Sequence, residues 1–93
     1  MSKAEATRIA QERLASLREL APKQLERYVD KPVTDKVTAG SGVAYQVETQ
    51  AFWDDRERKN LRVMVSVDDG GWRSFAPVSD DFIVTQDGAF VSE

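Results

Sequence analysis

The stretch Val43–Ala76, VAYQVETQAFWDDRERKNLRVMVSVDDGGWRSFA, decides the fold. Its first part alternates at period two. Val43, Tyr45, Val47, Ala51 and Trp53 share one face, and Ala44, Gln46, Glu48 and Gln50 share the other. That is the spacing of a strand with one face against a core. Phe52 breaks the alternation, as a bulge or as an aromatic on the outer face. The segment DDRERKN, residues 54–60, is too charged to bury and reads as a turn. A second strand follows, with Leu61, Val63, Val65 and Val67 inward and Arg62, Ser66 and Asp68 outward. Met64 is the apolar exception on the outer side.

Asp69-Gly70 is a two-residue hairpin signal. It sets Val67 against Trp72, Met64 against Phe75 and Val63 against Ala76. A turn at Gly70-Gly71 sets Asp68 against Arg73 instead, and spacing alone leaves both registers open. Pro77 lacks an N–H for the ladder and should end this third strand. The run Phe82-Ile83-Val84-Thr85 reads as another strand. Asp87-Gly88 then predicts a second hairpin, pairing Thr85 with Phe90 and Val84 with Val91.

Ahead of this sheet lies a helical cover. No Pro or Gly interrupts Lys3 to about Leu20, and good helix formers dominate. Ser2 is the expected N-cap, with Glu5 completing a capping box. Thr7, Ala10, Leu14, Leu17 and Ala21, continued by Tyr28, form an apolar stripe at steps of three and four. Glu5, Glu12, Glu19 and Glu26 recur every seven residues on the opposite face and are expected in water. Pro22 predicts a kink or break near Ala21 and a short second helix to about Val29, ended by Lys31-Pro32. About three heptads with Ala and Thr in the seam favour packing on the chain's own sheet over a coiled coil. Residues 31–42 are a connector in which Val33 and Val37 offer a short edge strand.

The fold class expected is therefore α+β in a single domain, residues 1–93. One N-terminal helix, kinked or broken near Pro22, packs on an antiparallel meander of four to five strands. The segment VMVSVDDGGWRSFAPVSDDFIVTQDGAFV resembles the tail of small bacterial proteins. The helix-then-sheet order is similar in outline to the cystatin-like arrangement. That likeness implies a fold and carries over no site residue.

Composition excludes more chemistry than any motif suggests. The 93 residues contain neither cysteine nor histidine. Disulfides, thiolate metal sites and cysteine nucleophiles are thereby absent, as are imidazole bases and ligands. No cofactor and no bound metal are expected. Asp54-Asp55, Asp68-Asp69 and Asp80-Asp81 are carboxylate pairs, but all three sit where Asp caps turns. The net charge of −3 argues against a nucleic-acid partner. Residues 1–31 carry +2 and residues 32–93 carry −5, the pattern of a mildly basic helix on an acidic sheet. No apolar run approaches a membrane span and the N-terminus is no signal peptide, so a cytoplasmic protein is expected.

Two candidate surfaces remain. Phe52, Met64 and Phe75, beside Arg62 and Arg73, form a candidate interface on the outer face, suited to a homodimer or another protein. Tyr28, Tyr45, Trp53 and Trp72 are candidate walls of a small-ligand pocket between helix and sheet. A non-catalytic interaction or regulatory module is the first reading. A ligand-binding domain is the alternative, and a carboxylate enzyme comes last.

Overall fold

A computed structural model describes residues 2–70 and 77–91. Helix α1 spans Lys3–Leu17, α2 Pro22–Leu25 and α3 Arg27–Asp30. Strands β1 Val33–Thr38, β2 Ala44–Trp53, β3 Asn60–Asp68, β4 Val78–Thr85 and β5 Phe90–Val91 follow. They form one antiparallel sheet in sequential order. The α+β architecture read from the sequence is what the chain adopts.

Ser2 caps α1, its hydroxyl accepting the Glu5 N–H at 3.2 Å. Glu5 does not return the bond as a capping box would. Its carboxylate is drawn instead to Ser41 and Tyr45. The helix ends three residues earlier than expected. Pro22 forces extended geometry on Ala21, whose ψ is 149°. The approach to it carries only i→i−3 bonds, Glu19 to Ser16 and Leu20 to Leu17. Pro22 then opens α2 at a position that needs no N–H, and Gln24 Oε1 accepts the Ala21 N–H. Glu26 separates α2 from α3, so the expected second helix is two single turns.

The inner faces of β2 and β3 follow the period-two reading. Tyr45, Val47, Ala51, Leu61, Val63, Val65 and Val67 are all buried, with Thr49 among them. Val43 is a correction: it precedes β2 and is exposed. From the helices come Ala6, Ala10, Leu14, Leu17 and Leu25, and from β4 Phe82 and Val84. Ala6 joins the stripe unforeseen. Thr7 is half-buried, and Ala21 is exposed at the break. The two alanines let α1 lie close to the sheet while Leu14 and Leu17 fill its grooves. Glu12 and Glu19 are exposed as expected, but Glu5 and Glu26 are half-buried.

The ladder of β3 departs from both hairpin registers. Val67 pairs with Val78, Met64 with Asp81 and Val63 with Phe82. A strand has two edges, and β2 and β4 occupy both edges of β3. The expected partners Trp72, Arg73, Phe75 and Ala76 lie outside the described residues. Pro77 thus precedes the strand that pairs with β3 instead of ending it. Phe52 pairs with Arg62 in an unbroken ladder, so no bulge forms there.

The second hairpin is shifted by one residue. Val84 pairs with Phe90 and Ile83 with Val91. The Thr85 N–H donates to the Ala89 carbonyl at 2.8 Å, leaving a three-residue loop of Gln86, Asp87 and Gly88. Such a loop needs a left-handed residue in its last place, and Gly88 supplies it with φ +91°. Thr85 Oγ1 also donates to Asp87, which favours the longer loop. Gly70 has φ +76°, as expected, and its N–H donates to Asp68 Oδ1 at 2.7 Å. Among the described residues, no helix is long and apolar enough to cross a membrane.

Two outcomes check this packing. Leu14 is 1% exposed, so Leu14→Ala should cost about 2–5 kcal/mol in urea unfolding. Glu12→Gln should stay within about 0.5 kcal/mol. Nothing lies within 4 Å of a Cβ built on Gly88. Gly88→Val should therefore lose stability through backbone strain alone, about 1–2 kcal/mol, with Gly88→Asn losing clearly less. Equal losses for Val and Asn would contradict the left-handed loop.

Candidate functional site

The outer face of the sheet is set by the same alternation that builds the core. One row across it reads Phe52, Arg62, Ile83 and Val91, each opposite the next on adjacent strands. The neighbouring row reads Gln50, Met64 and Asp81. Phe52 is 40% exposed and Val91 39%, whereas Met64 is half-buried and Ile83 is buried. Ile83 is not part of the helix-facing core cluster.

Arg62 lies in the middle of this patch. Its Nε donates to Asp54 and its Nη1 to Asp81, both at 2.9 Å. The two carboxylates hold the guanidinium even more firmly protonated than usual. Arg62 stands between Phe52 and Ile83 in the row, and its guanidinium is tied to Asp54 after β2 and to Asp81 on β4. Phe75 and Arg73 lie outside the described residues. Strand alternation would have added Ile83, because Phe82 and Val84 beside it point inward. Val91 does not follow in the same way: the two-residue hairpin sets it opposite Val84 on the inner side, and only the shifted register brings it beside Ile83.

The four candidate pocket aromatics separate. Tyr45 is fully buried in the core, and its hydroxyl donates to Glu5 Oε1 at 2.8 Å. The same oxygen accepts from Ser41 Oγ at 2.8 Å. Tyr28 is half-buried against the core, with the Arg27 guanidinium 5.8 Å from its ring centre. Trp72 lies outside the described residues. Trp53 reaches a real concavity, a groove of about 430 Å³ at the end of the sheet beside α2. Leu61, Val84 and Pro22 complete its apolar lining, and Lys23, Arg58 and Lys59 line it too. Glu26, Thr85 and Gln86 add polar atoms.

The loop that carries Arg58 and Lys59 is built by its own side chains. Asp55 Oδ1 accepts the N–H groups of Lys59 and Asn60 at 3.0 and 2.9 Å. Gln86 Nε2 donates to the Arg58 carbonyl at 2.9 Å, tying the β4–β5 turn to this loop. Arg58 has φ +58°, alone among the described non-glycine residues. Asp55 thus serves turn chemistry as expected, whereas Asp80 and Asp81 correct the reading of the acidic pairs: they lie within β4, opposite Val65 and Met64, and cap no turn there. Among the described residues, no three acidic side chains converge.

Elsewhere, Arg13 makes a two-pronged pair with Asp35 at 2.7 and 2.8 Å, joining α1 to β1. The Phe82 ring meets Phe90 edge-on at 5.6 Å and carries the Arg18 guanidinium 5.0 Å from its centre.

The Glu5 contacts have a pH signature. Hydrogen bonds from Ser41 and then Tyr45 hold its carboxyl below the usual range. Asp35 is lowered chiefly by its bond from Arg13, and Asp87 chiefly by Thr85. A carboxyl lowered in the folded state adds stability above its unfolded pKa and loses it as pH falls toward the folded value. The protein should therefore weaken on acidification below about pH 4.5. Tyr45→Phe should cost more stability near pH 7 than in acid, because the bond favours the charged carboxyl and its advantage fades as pH falls toward the folded value. The same cost at both pH values would leave the Glu5 bond without effect.

The chain matches no family model, no curated protein and no solved structure.

Proposed function

We propose that the protein is a non-catalytic interaction module that pairs with a second copy of itself through the outer face of the sheet. The observation that carries this reading is the apolar row Phe52–Ile83–Val91 with Met64 beside it. The helices bury their apolar residues on the other face, in one cluster with the inner strands. The outer row thus owes nothing to the internal core. Its rim is polar and of mixed charge, with Lys36, Glu48, Gln50, Ser66 and Ser79 facing the same way. A patch of this kind suits a twofold contact, in which each surface meets its own copy. Each large apolar side chain covered contributes roughly 1.5–3 kcal/mol against the cost of association. A weak to moderate dimer follows, not an obligate one. The cysteine-free composition and the resemblance of the C-terminal segment make a bacterial cytoplasm the proposed setting.

A second reading is favoured by a separate observation, the groove at Trp53. It is open, partly apolar and of a size that suits a small ligand. The two readings use opposite faces and do not compete.

Light scattering across a range from about 10 µM to about 1 mM tests the first reading. A rise in mean mass with concentration is expected, abolished by Phe52→Asp and by Val91→Asp. Both side chains are exposed in the monomer, so neither change should unfold it. A monomer at every concentration, or a dimer indifferent to both changes, would sink the reading.

A further inference from the structure

We propose that the Trp53 groove binds a small aromatic phosphate monoester, its ring against Trp53 and its phosphate among Lys23, Arg58 and Lys59. This rests on the ligand-binding reading of the groove and names the class of ligand. The first argument is charge. The chain carries a net charge of −3, yet three cations and one carboxylate, Glu26, line this concavity. Among the lining groups the cations outnumber the carboxylates by two. A phosphate monoester brings about 1.5 to 2 negative charges at neutral pH and three acceptor oxygens. A carboxylate brings one charge and would leave a cation unmet.

The second argument is availability. Lys23 and the Arg58 guanidinium make no ion pair with any described residue. Lys59 does meet Glu57 at 2.6 Å, but both side chains are 68% exposed. Such a surface pair is weak and exchanges readily for a stronger anion. A guanidinium offers a phosphate two parallel donors, and an ammonium from a second element offers a third.

The third argument is construction. Three segments distant in sequence meet here: the start of α2, the β2–β3 loop and the β4–β5 turn. Arg58 is fixed in a left-handed conformation that a side chain seldom adopts. The Gln86 bond to its carbonyl and the Asp55 bonds beyond it hold that backbone without a ligand. A loop backbone held in place beforehand spares that part of the ordering cost, so only the exposed Arg58 side chain has to be fixed on binding. Beneath it, Leu61 and Val84 are each 2% exposed and form a dry floor, while Trp53 stays half-exposed. A planar ring gains most from such a wall by stacking.

Phenyl phosphate is the probe, added to the full chain carrying Trp72→Phe so that Trp53 is the sole tryptophan. Saturable change in Trp53 fluorescence is expected, matched by calorimetry. Phenol, inorganic phosphate and benzoate should each bind at least about tenfold more weakly. The double variant Lys23→Gln/Arg58→Asn should lose about tenfold or more in affinity with an unchanged far-UV spectrum. Asn is used at position 58 because it accepts the left-handed backbone. Absence of saturable binding by any ring compound, in fluorescence and calorimetry alike, overturns the ligand reading and the proposal together. Benzoate or phenol binding as tightly as phenyl phosphate keeps the ligand reading and overturns the phosphate assignment. Undiminished binding by the double variant overturns the placement at this groove.

Discussion

The structure depends on one covering contact: the sealing of the inner sheet face by a helix that cannot stay straight. The inner side chains of β2 and β3 are apolar along nearly their whole length, and left open they would be the largest liability of the chain. Helix α1 closes them over β3 and β4 through Ala6, Ala10, Leu14 and Leu17. Pro22 then turns the chain, and α3 comes down over β2 with Tyr28 and Val29 against the core. Without the turn, one helix would leave one side of the sheet wet. The Trp53 groove is the remainder of this solution. It lies at the joint, where Pro22 and Lys23 pass the end of the sheet and the cover has a gap.

Polar contacts fix how that cover sits. Glu5 is bound to the β1–β2 turn and to β2 through Ser41 and Tyr45, and Arg13 is bound to β1 through Asp35. Exposed or half-exposed pairs of this kind contribute little net stability. Their effect is geometric: two tethers eight residues apart on α1 set its angle across the strands. The same division holds on the far side. Arg62, tied to Asp54 and Asp81, adds little energy but keeps a charged group flat among apolar neighbours.

Much of this was legible in the sequence, for local reasons. Period-two spacing placed Tyr45, Val47, Leu61, Val63, Val65 and Val67 on the buried side, because a side chain in a strand can face only two ways. Pro22 announced the break, because a missing N–H acts on its nearest turn. Gly70 and Gly88 announced left-handed turns. What failed was pairing. Hairpin signals weigh the nearest segment and so point to residues 72–76 as the partner of β3, whereas the ladder reaches on to Val78–Thr85. The shift at Thr85 was decided by side-chain bonds of Thr85 and Asp87 that spacing does not encode. Helical spacing sends Glu5 to water because it knows nothing of Ser41, thirty-six residues away. The groove was half legible: Trp53 stood out as an aromatic wall, but Lys23 and Gln86 join it only in three dimensions.

Phe52 and Trp53 bring the two surfaces together at their origin. They are consecutive in β2, so the pleat sends one to the outer face and the other to the inner. Each sits where its face lacks a cover. Phe52 lies on the side away from the helices, and Trp53 lies at the end of the side they cover, past the reach of α1. A sheet closed on one face by a bent helix leaves these two kinds of apolar exposure. One is a broad, flat row, and the other is a confined groove rimmed by charge. Flatness suits a second flat surface, since extended contact is what excludes water from a row of side chains. Confinement suits a small molecule, whose few groups gain from being surrounded. Because the surfaces face opposite ways, the proposed self-association would leave the groove open, and the proposed ligand would leave the row open.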